Sequence, residues 1–393
     1  MTPEELRALL SPEGLRLLDD VGEVTADADV VRIVSRLRAA GHPPELVAAV
    51  LTQARLRTRA RAKFHEFADR MLFTPDGLEQ STRLQVAAHH AGRFARAGIA
   101  SVADLGCGIG ADALAFASLG MRVVAVDRDE VTAAIAAYNL APFPDARVVH
   151  GDALTDEPDD VDALWFDPAR RSAGRRQADP ADWSPPLDAV FARAAAKPAG
   201  VKLGPALDHA LLPAGVEAQW VSVDRDVVEL VVWSGALARD GVGRAALLLG
   251  GERPHELTAP AEAPDAEPGA LGEYLLEPDG AVIRARLIGE LARRVDGRML
   301  DRTIAWITTD GEPQTPFGQA FRVREELPFD ERKLKAALRE RGIGTLEIKK
   351  RGVDVDPAAF RTRLSLKGSE SATLVLTRHA GRRVAILADR VHV

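Results

Sequence analysis

The sequence predicts an α/β protein: an open, mostly parallel sheet with helices on both faces, between a helical N-terminal region and a small C-terminal α+β domain. Three observations predict it. Residues 101–206 alternate short β-rich runs with helical stretches, the pattern that builds a parallel sheet. Residues 3–70 repeat apolar side chains at three- and four-residue spacing. From residue 327 a helical pattern, a strand, a second helix and a hairpin follow in quick succession.

In the N-terminal region LRALLSPEGLRLL, DVVRIVSRLRAAG and ELVAAVLTQARLRTRARAKFHEFADRM read as helices, with a break at Gly41, Pro43 and Pro44. Arg55, Arg57, Arg59, Arg61 and Lys63 form a basic run, which reads either as a solvated helix face or as a phosphate-contacting one. The strands of the central region are VADLG, RVVAVD, RVVHGD, DALWFDP and VKLG. AQWVSVD and DVVELVVWSG then read as a hairpin at the sheet edge. Residues 251–272, rich in Pro, Ala and acids, read as a mobile loop or domain junction. EYLLEPDGAVIRARLIGELARRV is a strand, a turn and a helix; FDERKLKAALRERG, TLEIKKRG, DPAAFRTRLSL and SATLVLTRHAGRRVAILADRV complete the C-terminal unit. The expected domains are 1–70, 71–250, 251–326 and 327–393, without tandem repeats.

At 393 residues, 46% hydrophobic and 28% charged, the chain can bury the cores of two or three domains. No apolar run has the ~18 residues of a membrane-spanning helix. The start, MTPEELRALLSPEGLRLLDD, is acidic and amphipathic, unlike a signal peptide. The single cysteine, Cys107, makes neither an intrachain disulfide nor a multi-cysteine zinc site, and the reading is a cytoplasmic protein with no metal site. Net charge is −7, but residues 331–393 carry 15 Lys/Arg against 7 Asp/Glu, so +8 sits there and −15 elsewhere. Such asymmetry hints at a polyanionic partner.

VADLGCGIGADALAFASLG carries a strand into Gly106, Gly108 and Gly110 and then a helix. Glycines suit a tight turn whose backbone a ligand approaches closely. GCGIGA also fits the dinucleotide fingerprint, so a nicotinamide or flavin enzyme enters the comparison. Two features point away from it: Asp104 precedes the first glycine by two positions, and the third glycine stands at +4. The second strand ends in Asp127, 17 residues past Gly110, where a carboxylate can accept from ribose hydroxyls. The third ends in His150-Gly151-Asp152, with Asp152 placed to accept from an adenine amino group; His150 reads as packed or solvent-bonded.

DLGCGIG, VVAVDRD, HGDAL and WFDPAR, in that order, resemble the class I S-adenosylmethionine-dependent methyltransferases. The resemblance implies a Rossmann-like methyltransferase sheet with S-adenosyl-L-methionine as cofactor. It places Asp104 and Gly106–Gly110 around the methionine part, Asp127 on the ribose and Asp152 near the adenine. LFTPDGLEQSTRLQVAAHHAGRFA is similar to the segment covering the cofactor in trimethylguanosine synthases, which puts Phe73, Thr74 and the turn from Glu79 to Thr82 near the methionine carboxylate or amine. An ordinary helix N-cap at Ser81 or Thr82 fits the same residues.

Asp167 ends the fourth strand, where strand ends line the ligand crevice. In-line methyl transfer needs an acceptor held at near-attack distance, so Asp167 and Pro168 are the catalytic candidates, with Asp167 orienting the acceptor. Amino-methylating relatives carry Asp/Asn/Ser-Pro-Pro-aromatic here; this chain reads Asp167-Pro168-Ala169-Arg170 and lacks the second proline and the aromatic. It is closer to the Asp-Pro-Pro-Arg of RNA 5-methyluridine methyltransferases, but their cysteine nucleophile has no counterpart, because Cys107 lies in the glycine loop. Trp165 and Phe166 read as strand core. Arg170, Arg171, Arg175 and Arg176 read either as a solvated loop or as guanidinium forks for phosphate or carboxylate.

IKKRG, DP, LKG and ATLVLTR resemble the THUMP-like domain at the C-terminus of some bacterial methyltransferases. THUMP domains proper help RNA-modifying enzymes bind tRNA. The resemblance makes Lys349, Lys350, Arg351, Arg361, Arg363 and Lys367 phosphate-contact candidates. The leading expectation is methylation of structured RNA, tRNA or rRNA. The alternatives are a methyltransferase of a small acidic metabolite or protein, and a non-catalytic RNA-binding factor that keeps the fold. No general base, target atom or oligomeric state is legible.

Overall fold

The computed structural model describes the backbone of residues 1–391 other than 157, 159, 170, 173, 174, 177 and 178, and the side chains of these apart from 27, 28, 171, 172, 175 and 176. The chain divides into two compact units, residues 1–203 with 232–238 and residues 204–231 with 239–393.

The first unit opens with the helices Pro3–Leu9, Pro12–Val21, Asp27–Ala39 and Pro44–Phe64. LRALLSPEGLRLL is two helices rather than one, because Ser11 caps the second and Pro12 occupies its first position. The longest helix buries Leu46, Val50, Ala54 and Phe64, and all three helices before it pack against it. The basic run fits neither expected reading as a whole. Arg57 is buried and donates to the Met71 carbonyl, Arg61 pairs with Asp69, and Lys63 turns to backbone carbonyls, while Arg59 is exposed. Alternate positions point around a helix, not along one face.

The sheet of this unit has β1 (Ser101–Leu105), β2 (Arg122–Asp127), β3 (Ala146–His150) and β4 (Ala163–Phe166). The two-residue β5 (Arg171–Ser172) and β6 (Arg175–Arg176) pair only with each other. β7 (Ala199–Leu203) returns to the main sheet, whose order is β3-β2-β1-β4-β7, every pair parallel. β1 and β4 are buried at every residue, as strands covered on both faces must be. Helices Leu84–Arg96, Ala111–Ser118, Glu130–Leu140 and Leu187–Ala194 flank the sheet connections. Trp165 is fully buried, with the His90 ring centroid at 4.5 Å and Phe116 and Trp233 within 6 Å. Trp165 and Phe166 are core, as their place in a doubly covered strand requires.

β8 (Glu217–Val223), in the second unit, and β9 (Asp226–Ser234), which passes into the first at residue 232, are joined by Asp224-Arg225, with φ of 50° and 72°, the primed turn that matches strand twist. This hairpin is not the sheet edge. β10 (Arg244–Leu249) pairs parallel to β8, and β11 (His255–Ala259) pairs antiparallel to β10. β11 lies inside the segment expected to be a loop: its polar HELT hides a pattern whose alternate residues, Leu257 and Ala259, are buried.

A seven-stranded sheet follows: β12 (Tyr274–Pro278), β13 (Arg298–Asp301), β14 (Ile304–Thr309), β15 (Gly318–Pro328), β16 (Ile343–Lys350), β17 (Glu370–His379) and β18 (Arg382–Arg390), in the order β13-β14-β12-β15-β18-β17-β16. Helices Glu331–Glu340 and Pro357–Leu364 cover one face, setting Leu334, Leu338 and Phe360 on Leu346, Leu374 and Leu376. Val375, Ile386, Trp306 and Phe321 form the opposite core. Alternate residues of β17 thus serve two cores, the period-two rule of a strand buried on both sides.

Candidate active site

Gly106, Gly108 and Gly110 follow β1 with φ of 90°, 56° and 86°, a region closed to most side chains. The N–H groups of Gly106 and Cys107 both donate to the Val126 carbonyl, tying the loop to β2. A Cβ on Gly106 would stand 2.9 Å from the Asp167 carbonyl oxygen, whereas a Cβ on Gly108 would meet no atom within 4 Å. The first glycine is needed for backbone approach and the second opens onto free space. Cys107 is buried; burial, then the charges of Asp104 and Asp127, push its thiol well up, so it stays protonated.

Five polar side chains from five elements converge beside this loop. His90 Nδ1 lies 2.8 Å from Asp112 Oδ1, and the Thr82 hydroxyl donates to Asp112 Oδ2 at 2.6 Å. Lys202 Nζ donates to Thr82 Oγ1 at 2.8 Å and to Asp167 Oδ2 at 2.6 Å. The result is a chain from the core to the end of β4. Asp104 is 1% exposed, and among the described residues no side-chain donor reaches its carboxylate oxygens, which only the Ala113 amide faces. The two buried acids diverge accordingly. Burial, reinforced by Asp112 and Asp167, pushes the Asp104 carboxyl well above its ordinary range, with Lys202 and the Ala113 amide opposing. Burial pushes Asp112 the same way, but the His90 bond and charge, Lys202 and the Thr82 hydroxyl outweigh it and hold Asp112 low.

A segment from the N-terminal side packs onto the loop. The Gln53 side-chain amide donates to Phe73 O at 2.7 Å and accepts from Phe73 N at 3.0 Å. Asn139 does the same for Leu72 and also donates to Ile109 O of the glycine loop at 2.9 Å. Thr74 caps the helix Pro75–Gln80, whose end carbonyls Leu78, Glu79 and Ser81 all accept from Lys63 Nζ within 2.8 Å. Burial, then the Lys202 and Arg83 charges, push the Lys63 ammonium down to about 8. The expected N-cap at Ser81 or Thr82 does not form. Ser81 ends Pro75–Gln80, the next helix begins after Arg83 without a side-chain cap, and the Thr82 hydroxyl is committed to Asp112.

Among the other candidates, Asp127 accepts from Gly108 N and Asp129 N, both at 2.9 Å, and burial raises its pKa. Asp152 is exposed and accepts from Leu154 N at 2.8 Å. His150 is exposed, 3.1 Å from the Arg128 carbonyl. Pro168 is buried beside the half-buried Asp167. Phe73 is fully buried. Arg170 lies outside the described residues, as do the side chains of Arg171, Arg175 and Arg176. In the second unit Lys349 bonds Glu277 at 2.7 Å and Arg351 approaches the same carboxylate at 3.8 Å. Arg361 donates to the Leu346 carbonyl and Arg363 pairs with Glu331. Lys350 and Lys367 are exposed.

Lys202, Asp112 and His90 were not anticipated. Each left a faint signal: a lysine inside the apolar strand VKLG, an aspartate in the apolar helix ADALAFAS, and a histidine on the buried face of Leu84–Arg96. Charged residues are rarely buried unless partnered.

An α/β sheet with a glycine loop after β1 and acids at the ends of β1, β2 and β4 defines a methyltransferase of the class I kind, and the comparisons with known proteins agree. The chain is 35% identical over 352 residues, 87% of its length and 95% of the relative's, to an uncharacterized S-adenosylmethionine-dependent methyltransferase of Mycobacterium tuberculosis, matched in strains H37Rv and CDC 1551 / Oshkosh. It belongs to the S-adenosylmethionine-dependent methyltransferases. The crystal structure of a Porphyromonas gingivalis W83 protein put forward as a methyltransferase superposes over 100% of both chains with a TM-score of 0.75 at 22% identity, which shows the shared fold. Residues 318–390 match the THUMP domain-like family, and residues 2–60 match a domain of unknown function.

Proposed function

We propose that this methyltransferase modifies structured RNA, tRNA or rRNA, in the cytoplasm. The observation that carries the reading is the joining of Asp167, held by Lys202 at the mouth of the glycine loop, to a THUMP-like domain in the same chain. Asp104, Gly106, Gly108, Gly110, Asp127, Asp152 and Thr82 would hold the cofactor. The residues fit it: a buried carboxylate that no described side chain reaches as a donor suits a cationic ligand, and the space above Gly108 suits a ligand at the backbone.

The cofactor supplies a methyl group already activated on a sulfonium. The chain therefore has to position and polarise. Asp167 accepts a hydrogen bond from the acceptor group and fixes its direction, and Pro168 stiffens the turn. Lys202 holds Asp167 in place while bonding Thr82, so the acceptor side and the cofactor side share one fixed donor. The arginines at 170, 171, 175 and 176 and the basic C-terminal residues position phosphates without reading sequence.

One observation favours a second reading, a small acidic acceptor: Glu277 already holds Lys349 and Arg351. Nucleoside mass spectrometry of RNA from cells lacking the gene separates the two. The RNA reading expects one methylated nucleoside to vanish, to return with the wild-type gene and not with Asp167→Ala. An unchanged nucleoside profile contradicts it.

A further inference from the structure

The carboxyl group of Asp104 has no counterpart elsewhere in the cluster. Asp112, equally buried, has the His90 ring, the Thr82 hydroxyl and the nearby Lys202 ammonium. Among the described residues no side-chain donor reaches the Asp104 oxygens, and of the backbone groups the Ala113 amide alone favours its charged form. Its charged surroundings are mixed: Asp112 on the helix after the glycine loop and Asp167 after β4 repel a second negative charge, and Lys202 on β7 attracts it. That lysine already donates to Thr82 and Asp167. Ionising Asp104 would add a third carboxylate to a cluster whose cationic groups, Lys202 and the His90 ring, are already engaged by Asp167 and Asp112, out of water. A cation brought to Asp104 reverses the balance.

We propose that Asp104 is a neutral carboxylic acid in the ligand-free protein and releases its proton when S-adenosylmethionine binds, so that cofactor capture is coupled to pH. The inference rests on assigning the crevice beside the glycine loop to the cofactor. In the exchange the O–H bond of Asp104 breaks and its proton passes to the buffer. The carboxylate left behind faces the α-ammonium of the methionine moiety. The cofactor keeps its own protonation state, so charge balances with one proton leaving as one cation arrives. The free enzyme is thereby spared an unpaired buried anion, and affinity rises with pH until Asp104 is ionised without the cofactor.

Titration calorimetry on the full chain, in phosphate and in Tris, counts the protons, because the apparent heat follows the buffer's ionisation enthalpy. Below the raised pKa of Asp104 in the free protein the release expected approaches one proton per cofactor, and it shrinks as pH is raised through that pKa. Over the same range the affinity rises by up to about tenfold per pH unit. Asp104→Asn is expected to bind the cofactor without buffer-dependent heat. 5′-Methylthioadenosine, which lacks the amino-acid portion, is expected to bind the wild type without proton release. Release from that nucleoside would assign the proton to the ribose side, where Asp127 stands, and overturn the proposal. Equal release by Asp104→Asn and wild type would overturn it too. Binding with no release at any pH refutes the coupling alone, whereas no binding refutes the site assignment. Should Asp104→Asn fail to fold, infrared difference spectra of the wild type decide. A protonated-carboxyl band lost on adding cofactor supports the proposal, and its absence from the free protein defeats it.

Discussion

Asp104 and Asp112 show how one environment drives two carboxyls apart. Asp104 keeps its proton above the pH at which an ordinary carboxyl, at 3.8, loses it. As pH rises past about 4 the unfolded chain therefore binds fewer protons than the native one, and Asp104 erodes stability. Asp104→Asn should gain on the wild type as pH rises from about 4 until the folded Asp104 itself ionises, read as a growing difference in urea midpoint; a constant difference would contradict the assigned shift. Asp112 has the opposite sign. Its contribution is present above 3.8 and is lost as pH falls through its depressed folded value. Asp112→Ala leaves the buried Thr82 hydroxyl and His90 ring each without this partner, and should cost about 1–3 kcal/mol for each group left unsatisfied, measured by chemical denaturation.

The same residues mark what a sequence can reveal. Gly106, Gly108 and Gly110 were legible because their positive φ leaves few alternatives to glycine. Asp104, Asp127 and Asp167 were legible because the strand pattern locates strand ends. Lys202 and His90 were not, since their meaning lies in meeting Thr82 and Asp167, and Asp112, from distant elements, which no local pattern records.

At the scale of elements, Gln53 and Lys63 pin the segment 72–82 to the helix Pro44–Phe64, and Asn139 ties it to the glycine loop. Asn139→Ala would strip the Leu72 N–H and the Leu72 and Ile109 carbonyls of their partner. We expect a loss of about 1–3 kcal/mol per orphaned group, with cofactor affinity falling alongside, seen in a cofactor-dependent melting shift. Gly106→Ala strains a φ of 90° and presses on the Asp167 carbonyl. It should weaken cofactor binding and transfer together; unchanged binding would show that the loop adapts. The elements missed by pattern were β10 and β11, beside a Pro- and acid-rich stretch whose composition reads as loop, and β13, β14 and β15, for which residues 297–326 gave no reading. The helices and strands from residue 331 onward were legible because their apolar periods are clean.

For the whole molecule, the acidic total hides a basic end, and the two classes of C-terminal cation differ. Lys350 and Lys367 are exposed, while Lys349 and Arg351 meet Glu277. If the domain holds RNA through phosphates, Lys350→Glu with Lys367→Glu should lower the salt slope of tRNA binding by about 2, with Lys349→Ala changing it less. Fluorescence anisotropy over a salt series reads the slope, and a slope unmoved by the double variant would remove these lysines from the interface.

The most direct test of the account is methyl transfer in vitro. Purified protein is incubated with tritiated S-adenosylmethionine and total RNA from cells lacking the gene, with RNA from normal cells alongside. The account predicts label in the first pool, little in the second, and none with Asp167→Ala despite retained cofactor binding. Label in neither pool, from protein that binds the cofactor, would contradict an RNA acceptor.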